Sequence, residues 1–461
     1  LKPTSPALER FPEVFAFQGW ETDDAAGVVR LRYAFDNGLE FRETIGFNAP
    51  LPKAVSDNRA LFENALDALG LAAGVSYYKA FVPHRLELPE PGLNPAQRAF
   101  FQNLYVSGLG EFGYRNGIDI PRHVDFLNAR GGDGAPTPAQ ALVDPSGRRK
   151  SAVLLGGGKD SLVSVEALRH GNEPIVLLTV NPKPPMIDCA RDSGLQFVAI
   201  SRQLDPALFK LNDAGALNGH VPITAIVSLI AVAASYVHGF DTIVLSNERS
   251  ANEGNLVHDG RTINHQFSKT LDFERDLAAY IHDHIDPGLS YFSLLRPLSE
   301  FHIARLMART SRYDAAFTSC NRAFQLRATG PLARWCGECP KCQFTYLILA
   351  TAMQPDRLRH IFGGDLLANP ALLPGYEELT GLAGHKPWEC VGEIAESSVA
   401  LIGLSRRPEW AGHAVVSQLA PRLQSLIPDP AAVEAELMQP SQDHDLPKRF
   451  KDMLDDYIAA S

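Results

Sequence analysis

The hydrophobic positions of this chain change period several times, and each change marks an element. In "GVVRLRYAFDNGLEFRETIGF" apolar and polar residues alternate in two runs joined at Asp36-Asn37-Gly38. Period-two alternation predicts half-buried strands, and Asn-Gly supplies the positive backbone angles of a tight turn, so the stretch reads as a hairpin. Helical spacing follows over residues 58–69 and 96–105, which makes the amino-terminal part an α+β module of its own. From Ser151 onward short apolar runs alternate with helical stretches. Strands are expected at 152–155, 175–180, 197–200 and 242–245, with weaker candidates at 291–295 and 315–318. Such alternation implies a doubly wound parallel sheet, whose ligands bind beyond the carboxyl ends of the strands. The most apolar segment, between Pro222 and His238, is shorter than the roughly 20 residues that span a bilayer and reads as a buried helix.

The stretch "NARGGDGAPTPAQALVDPSGRRK", residues 128–150, is rich in Gly, Pro and Ala and is read as a linker. The division expected is therefore 1–140, an N-terminal α+β module assigned to substrate recognition; 148–362, the α/β domain; and 363–461, a helical, Pro-interrupted region with an amphipathic look over 431–458.

Composition narrows the partners. With 461 residues, 45% of them hydrophobic and 21% charged, the chain is too long for one compact core. A net charge of −10 disfavours a large nucleic-acid footprint and favours small-molecule ligands. Residues Leu1 to Phe15 contain no apolar core of a secretory signal, so no membrane partner and a cytoplasmic location are expected. Oligomeric state is left open. Six cysteines do not make a disulfide scaffold in a chain of this length, and four of them lie between Cys320 and Cys342, which favours a metal.

Two segments carry candidate chemistry. In "SAVLLGGGKDSLVSVEALRHG" three glycines stand between a strand and a helix, where backbone N–H groups and the positive helix end suit a phosphate. Neither a Walker A spacing nor a dinucleotide fingerprint is present. The loop resembles the Ser-Gly-Gly-x-Asp-Ser signature of PP-loop ATP pyrophosphatases. Gly157, Gly158, Asp160 and Ser161 match, while Gly156 replaces the usual serine. The second segment, "CGECPKC", places Cys336, Cys339 and Cys342 two residues apart with Cys320 upstream, enough for a tetrahedral thiolate site. Zinc is expected, with an iron–sulfur cluster as the alternative. The arrangement is similar to the four-Cys zinc site of 7-cyano-7-deazaguanine synthases, with a longer gap after the first Cys. Cys189 and Cys390 stand alone and read as ordinary thiols.

Weaker signals surround these. "SNERSANEGNLVHDGRTINHQF" carries Glu248, Arg249, Glu253, His258 and His265 on a polar loop after a strand, and "NPKPP" follows an earlier strand of the series. Arg305, Arg309 and Arg312 share a helical face that would attract a diphosphate or simply be solvated, whereas His282 and His284 point to different faces and receive no role.

Together the amino-terminal hairpin, "LLGGGKDSLVSVEAL", "LSNERSANEGN" and "WCGECPKCQFTYLILA" resemble one family, MurL, the UDP-N-acetylmuramoyl-L-alanyl-L-glutamate epimerases. The resemblance implies a PP-loop-type α/β fold and inversion of the terminal L-Glu of UDP-MurNAc-L-Ala-L-Glu in peptidoglycan precursor synthesis. It also implies ATP and Mg²⁺ as cofactors, with AMP and diphosphate released. By the same resemblance Gly156, Gly157, Gly158, Lys159, Asp160 and Ser161 bind the nucleotide, with Asp160 on the Mg²⁺. Epimerisation needs acid–base groups, for which Glu248, Glu253 and His265 are the candidates. The alternatives are a base- or tRNA-modifying PP-loop enzyme and an ATP-sensing binding protein.

Overall fold

The computed structural model describes residues 11–53, 57–90, 92–131, 150–324, 334–384 and 386–460. The proposed linker lies for the most part outside the described residues. The protein is mixed α/β with a large, parallel-dominated sheet. Its strands are β1 (Val14–Asp23), β2 (Val28–Phe35), β3 (Glu40–Gly46), β4 (Arg85–Glu87), β5 (Ser151–Leu154), β6 (Ile175–Val180), β7 (Phe197–Gln203), β8 (Thr242–Leu245), β9 (Leu256–His258), β10 (Arg261–Ile263) and β11 (Ser290–Ser293). The chain divides into two compact units. One comprises residues 1–151, 198–243 and 258–291; the other comprises residues 152–197, 244–257 and 292–461.

In the first unit the strand order is β7-β3-β2-β1-β4, with β1–β2, β2–β3 and β3–β7 antiparallel and β1–β4 parallel. The hairpin expected at Asn37-Gly38 is β2–β3, and Gly38 takes a φ of +89°, open to glycine at little cost. Alternation buries Val29, Leu31, Tyr33 and Phe35 on one face of β2, against the helix Asp57–Ala73. That helix packs in turn on Ile223–His238, where ten residues from Ala225 to Ser235 are buried, as the apolar run predicts.

In the second unit the order is β11-β8-β5-β6. The helix Lys159–His170 connects β5 to β6. Its far side is covered by the C-terminal helix Lys448–Ala459, which buries Phe450 and Leu454. One expectation is corrected here. Residues 315–318 form no strand, because the Thr318 N–H is taken by the Gly157 carbonyl at 2.9 Å and the segment lies against the glycine loop. The amphipathic stretch 431–458 is two helices, Pro430–Met438 and Lys448–Ala459, parted where Pro440 and Pro447 interrupt the backbone donors. Arg305 pairs with Glu434, Arg309 donates to the carbonyls of Tyr457 and Ile458, and Arg312 faces Glu166. Among the described residues no helix is long and apolar enough to cross a membrane.

Candidate functional site

The second unit holds the glycine loop. Strand β5 ends at Leu154, and the helix begins at Lys159 with Gly158 as its extended N-cap. Two of the three glycines have a steric reason to be there. Gly157 sits at φ +83°, and a Cβ on Gly158 would come 2.9 Å from the Ser319 hydroxyl. At Gly156 a Cβ would meet nothing within 4 Å, so the position accepts the serine found in the motif it resembles. Cys189 lies beneath, its sulfur 3.9 Å from the Gly157 carbonyl, and burial pushes its thiol up to about 12. It is therefore a packed thiol rather than a nucleophile.

Lys159 does not extend into solvent. It is 3% exposed and forms ion pairs with Asp160, at 2.6 Å, and with Glu300. Burial works against its charge, but the two carboxylates more than offset this and hold the ammonium above the ordinary lysine range. Glu300 had no signal in the sequence. It opens the helix Glu300–Ala308, whose N-cap Ser299 accepts the His302 N–H, and the Glu300 N–H is taken by the Glu396 carboxylate at 2.7 Å. The other Glu396 oxygen accepts the Glu393 N–H at 2.7 Å. Glu248 is buried within electrostatic reach of Glu300 and accepts a bond from the Ser250 hydroxyl at 3.3 Å. Glu253 pairs with the buried Lys386. The structure thus gathers Lys159, Asp160, Glu248, Glu300 and Glu396 around the start of one helix.

Glu396 gives the cluster a pH dependence. Burial, and next the charge of Glu393, raises its carboxyl from 4.5 to about 7. The folded chain prefers the neutral form, so the stabilisation is complete below the unfolded value and lost as pH rises through about 7. The difference is worth about 3 kcal/mol. Urea unfolding of Glu396→Gln at pH 5 and pH 8 is expected to show a smaller fall in stability with pH than the parent chain. An unchanged fall would place the titrating group elsewhere.

The four cysteines come together in the same unit, with ligand sulfurs all within 4.8 Å of one another. Cys339 and Cys342 are 3.5 Å apart and Cys336 and Cys342 3.7 Å, near the roughly 3.8 Å edge of a tetrahedron with zinc–sulfur bonds of about 2.3 Å. The turn is built for it: Gly337 is at φ +74°, the Cys339 N–H points at the Cys336 sulfur at 3.4 Å, and Cys339 caps the helix Pro340–Ala350, bringing Cys342 onto its first turn. This candidate four-thiolate site fits a structural zinc. Thr318 links it to the loop, since its hydroxyl accepts the Cys320 N–H at 3.1 Å while its own N–H goes to Gly157.

His265 is in the first unit, with neither of the glutamates it was grouped with in the sequence. It contacts Glu111, beside His220, whose ring centroid is 4.2 Å away. Neither partner was legible, because Glu111, His220 and His265 come from three distant segments. Burial, reinforced by the neighbouring His265, lowers the His220 imidazole to about 4. His258 is exposed, beside Tyr114.

Fold and site define an α/β protein whose strand–glycine loop–helix turn is tied through one threonine to a four-thiol cluster. The chain belongs to the MurL family. Residues 8–294 match the MurL N-terminal domain and residues 316–434 the MurL C-terminal domain. It is similar to three proteins named UDP-N-acetyl-alpha-D-muramoyl-L-alanyl-L-glutamate epimerase. The relative from Salinispora tropica is 44% identical over 96% of this chain and 95% of its own. That from Micromonospora sp. is 43% identical, covering 95% and 97%, and that from Xanthomonas oryzae pv. oryzae 41%, covering 94% and 95%.

Proposed function

We propose that this chain inverts the terminal L-Glu of UDP-MurNAc-L-Ala-L-Glu to D-Glu, using ATP and Mg²⁺ and releasing AMP and diphosphate, in the cytoplasmic synthesis of a peptidoglycan precursor. The observation that carries the reaction is likeness over 94–96% of the chain to three proteins bearing that epimerase name. Support for the nucleotide comes from the strand–loop–helix turn, where Gly156, Gly157, Gly158, Lys159 and Ser161 would receive phosphates and Asp160 would hold Mg²⁺.

A free α-carboxylate puts negative charge beside the carbon that must lose its proton. Adenylation removes that charge and supplies a carbonyl to delocalise the new one. In the proposed order an α-carboxylate oxygen attacks the α-phosphorus and diphosphate leaves. The Cα proton passes to a base, a proton returns from the opposite face, and water cleaves the acyl phosphate to give AMP and the free carboxylate. Only the α-carboxylate, not the γ-carboxylate, acidifies the stereocentre in this way. Glu248 and Glu253 are the proton carriers proposed from the second unit, and His265 is the third candidate.

Incubation with the dipeptide substrate, ATP and Mg²⁺ in D₂O, followed by chiral and mass analysis of the glutamate, is expected to give D-Glu with α-deuterium. No deuterium should enter when ATP is omitted. Deuterium without ATP would remove the role given to the loop, and AMP release with full retention of L-Glu would point to a ligase or hydrolase half-reaction.

A further inference from the structure

Glu111, His220 and His265 converge from three separate segments of the first unit: the helix Gly110–Asn116, the turn before Ile223–His238, and the segment after β10. Their ligand atoms lie within 4.8 Å of one another, and all three side chains are at least three-quarters buried. His265 Nδ1 is in contact with Glu111 Oε2, and His220 Nδ1 is 4.0 Å from the same oxygen. The other carboxylate oxygen is occupied, since Arg115 Nε donates to Glu111 Oε1 at 2.6 Å.

We propose that Glu111, His220 and His265 form a second metal site, distinct from the four-cysteine cluster, which takes a divalent transition ion of the Mn²⁺, Fe²⁺, Co²⁺ or Zn²⁺ type. Atoms sharing one ion at about 2.0–2.2 Å can be no more than about 4.4 Å apart, so closing this set takes only small side-chain adjustments. Two imidazole nitrogens and one carboxylate oxygen select against Mg²⁺ and Ca²⁺, which prefer all-oxygen shells. Arg115 fixes the carboxylate so that Oε2 alone faces the histidines, the kind of support that orients a ligand from behind. Three protein ligands leave positions open to water or a substrate oxygen, whereas the four thiolates form a closed site. The assignment makes His265 a ligand rather than a proton carrier and leaves Glu248 and Glu253 for that task. It stands independently of the epimerase reading.

The test is a Co²⁺ titration of the full chain stripped with a chelator, followed by absorption spectroscopy and elemental analysis. Two ions per chain are expected at micromolar protein, one with strong thiolate-to-cobalt charge transfer and one with weak visible bands alone. His220→Gln and His265→Gln should each weaken the second class at least tenfold and leave the thiolate class intact, and a near-parent thermal unfolding curve of the metal-stripped variant reports that its first unit is folded. A single thiolate-bound ion in the parent chain, or both classes unchanged in both variants, would overturn the proposal. Epimerisation measured on the same preparations separates the two readings: a parent chain that forms D-Glu yet binds only the thiolate-held ion overturns the metal site and leaves the epimerase standing.

Discussion

Lys159→Met is expected to cost turnover and stability together, and adding Glu300→Gln is expected to return the stability alone. Lys159 is buried between Asp160 and Glu300, so methionine leaves a carboxylate without its counter-charge inside the second unit. Removing one partner of a buried pair costs about 3–5 kcal/mol, mostly because the remaining charge is uncompensated. Glutamine at 300 removes that charge. Turnover follows a different rule. If the ammonium faces phosphate oxygens as the diphosphate departs, its loss costs about 10²–10³-fold in kcat, the scale seen when one preorganised donor is deleted. The double variant should therefore unfold near the parent denaturant midpoint and still form AMP at least a hundredfold more slowly. Asp160→Ala is a companion: Asp160 is partly exposed, so the fold should tolerate alanine while AMP formation is lost. Full turnover in either single variant would refute the loop assignment.

Stripping the metal from the four-cysteine cluster, or replacing Cys339 with serine, is expected to produce the largest fall in stability of any change considered. Sites of this kind contribute about 10–16 kcal/mol of binding energy in small metal-dependent peptides, and that energy is coupled to folding. A chain with its own extensive core will lose less, and about 4 kcal/mol or more is the expectation here. Cys320 and Cys342 are fully buried, and Trp335, next to Cys336, packs at a tilt against Phe362 with ring centroids 4.2 Å apart, so opening the cluster disturbs core packing on both sides. Thermal unfolding with chelator, and again after zinc is restored, measures the effect. A midpoint that does not move with chelator, or iron with a visible cluster spectrum, would contradict a structural zinc.

The parts of the molecule legible in the sequence are those whose signal is local. Asn37-Gly38, the run from Ile223 to His238, Gly156 to Ser161 and "CGECPKC" each specify their own geometry within a few residues, and each takes the expected form. Glu300, Glu396, Lys386, Glu111 and His220 were hidden because their meaning lies in partners more than a hundred residues away or, for Glu300 and Glu396, 96 residues apart. A buried glutamate and a surface glutamate look alike in a sequence. Residues 315–318 show the converse: an apolar run reads as a strand, yet the tertiary demand of the Gly157 carbonyl for a donor holds the segment as an irregular support. Spacing singled out His265 without naming its partners, which the structure shows to be Glu111 and His220, from distant segments of the same unit.

The C-terminal helix that covers Lys159–His170 also sets a schedule for biosynthesis. Gly171, just after the loop helix, packs so closely on Met453 that an added Cβ would lie 2.6 Å from it, and Phe450 rests against Phe292 at 4.7 Å. Roughly 280 residues separate the two helices along the chain, and at about 5–20 residues per second the ribosome takes about 14–56 s to make them. The first unit closes once residue 291 has emerged, but the apolar side of the loop helix must wait for the helix Lys448–Ala459. A chain terminated before Lys448 would thus carry every candidate ligand and catalytic group and leave the helix beneath its glycine loop uncovered. Such a chain is a substrate for chaperones and proteases.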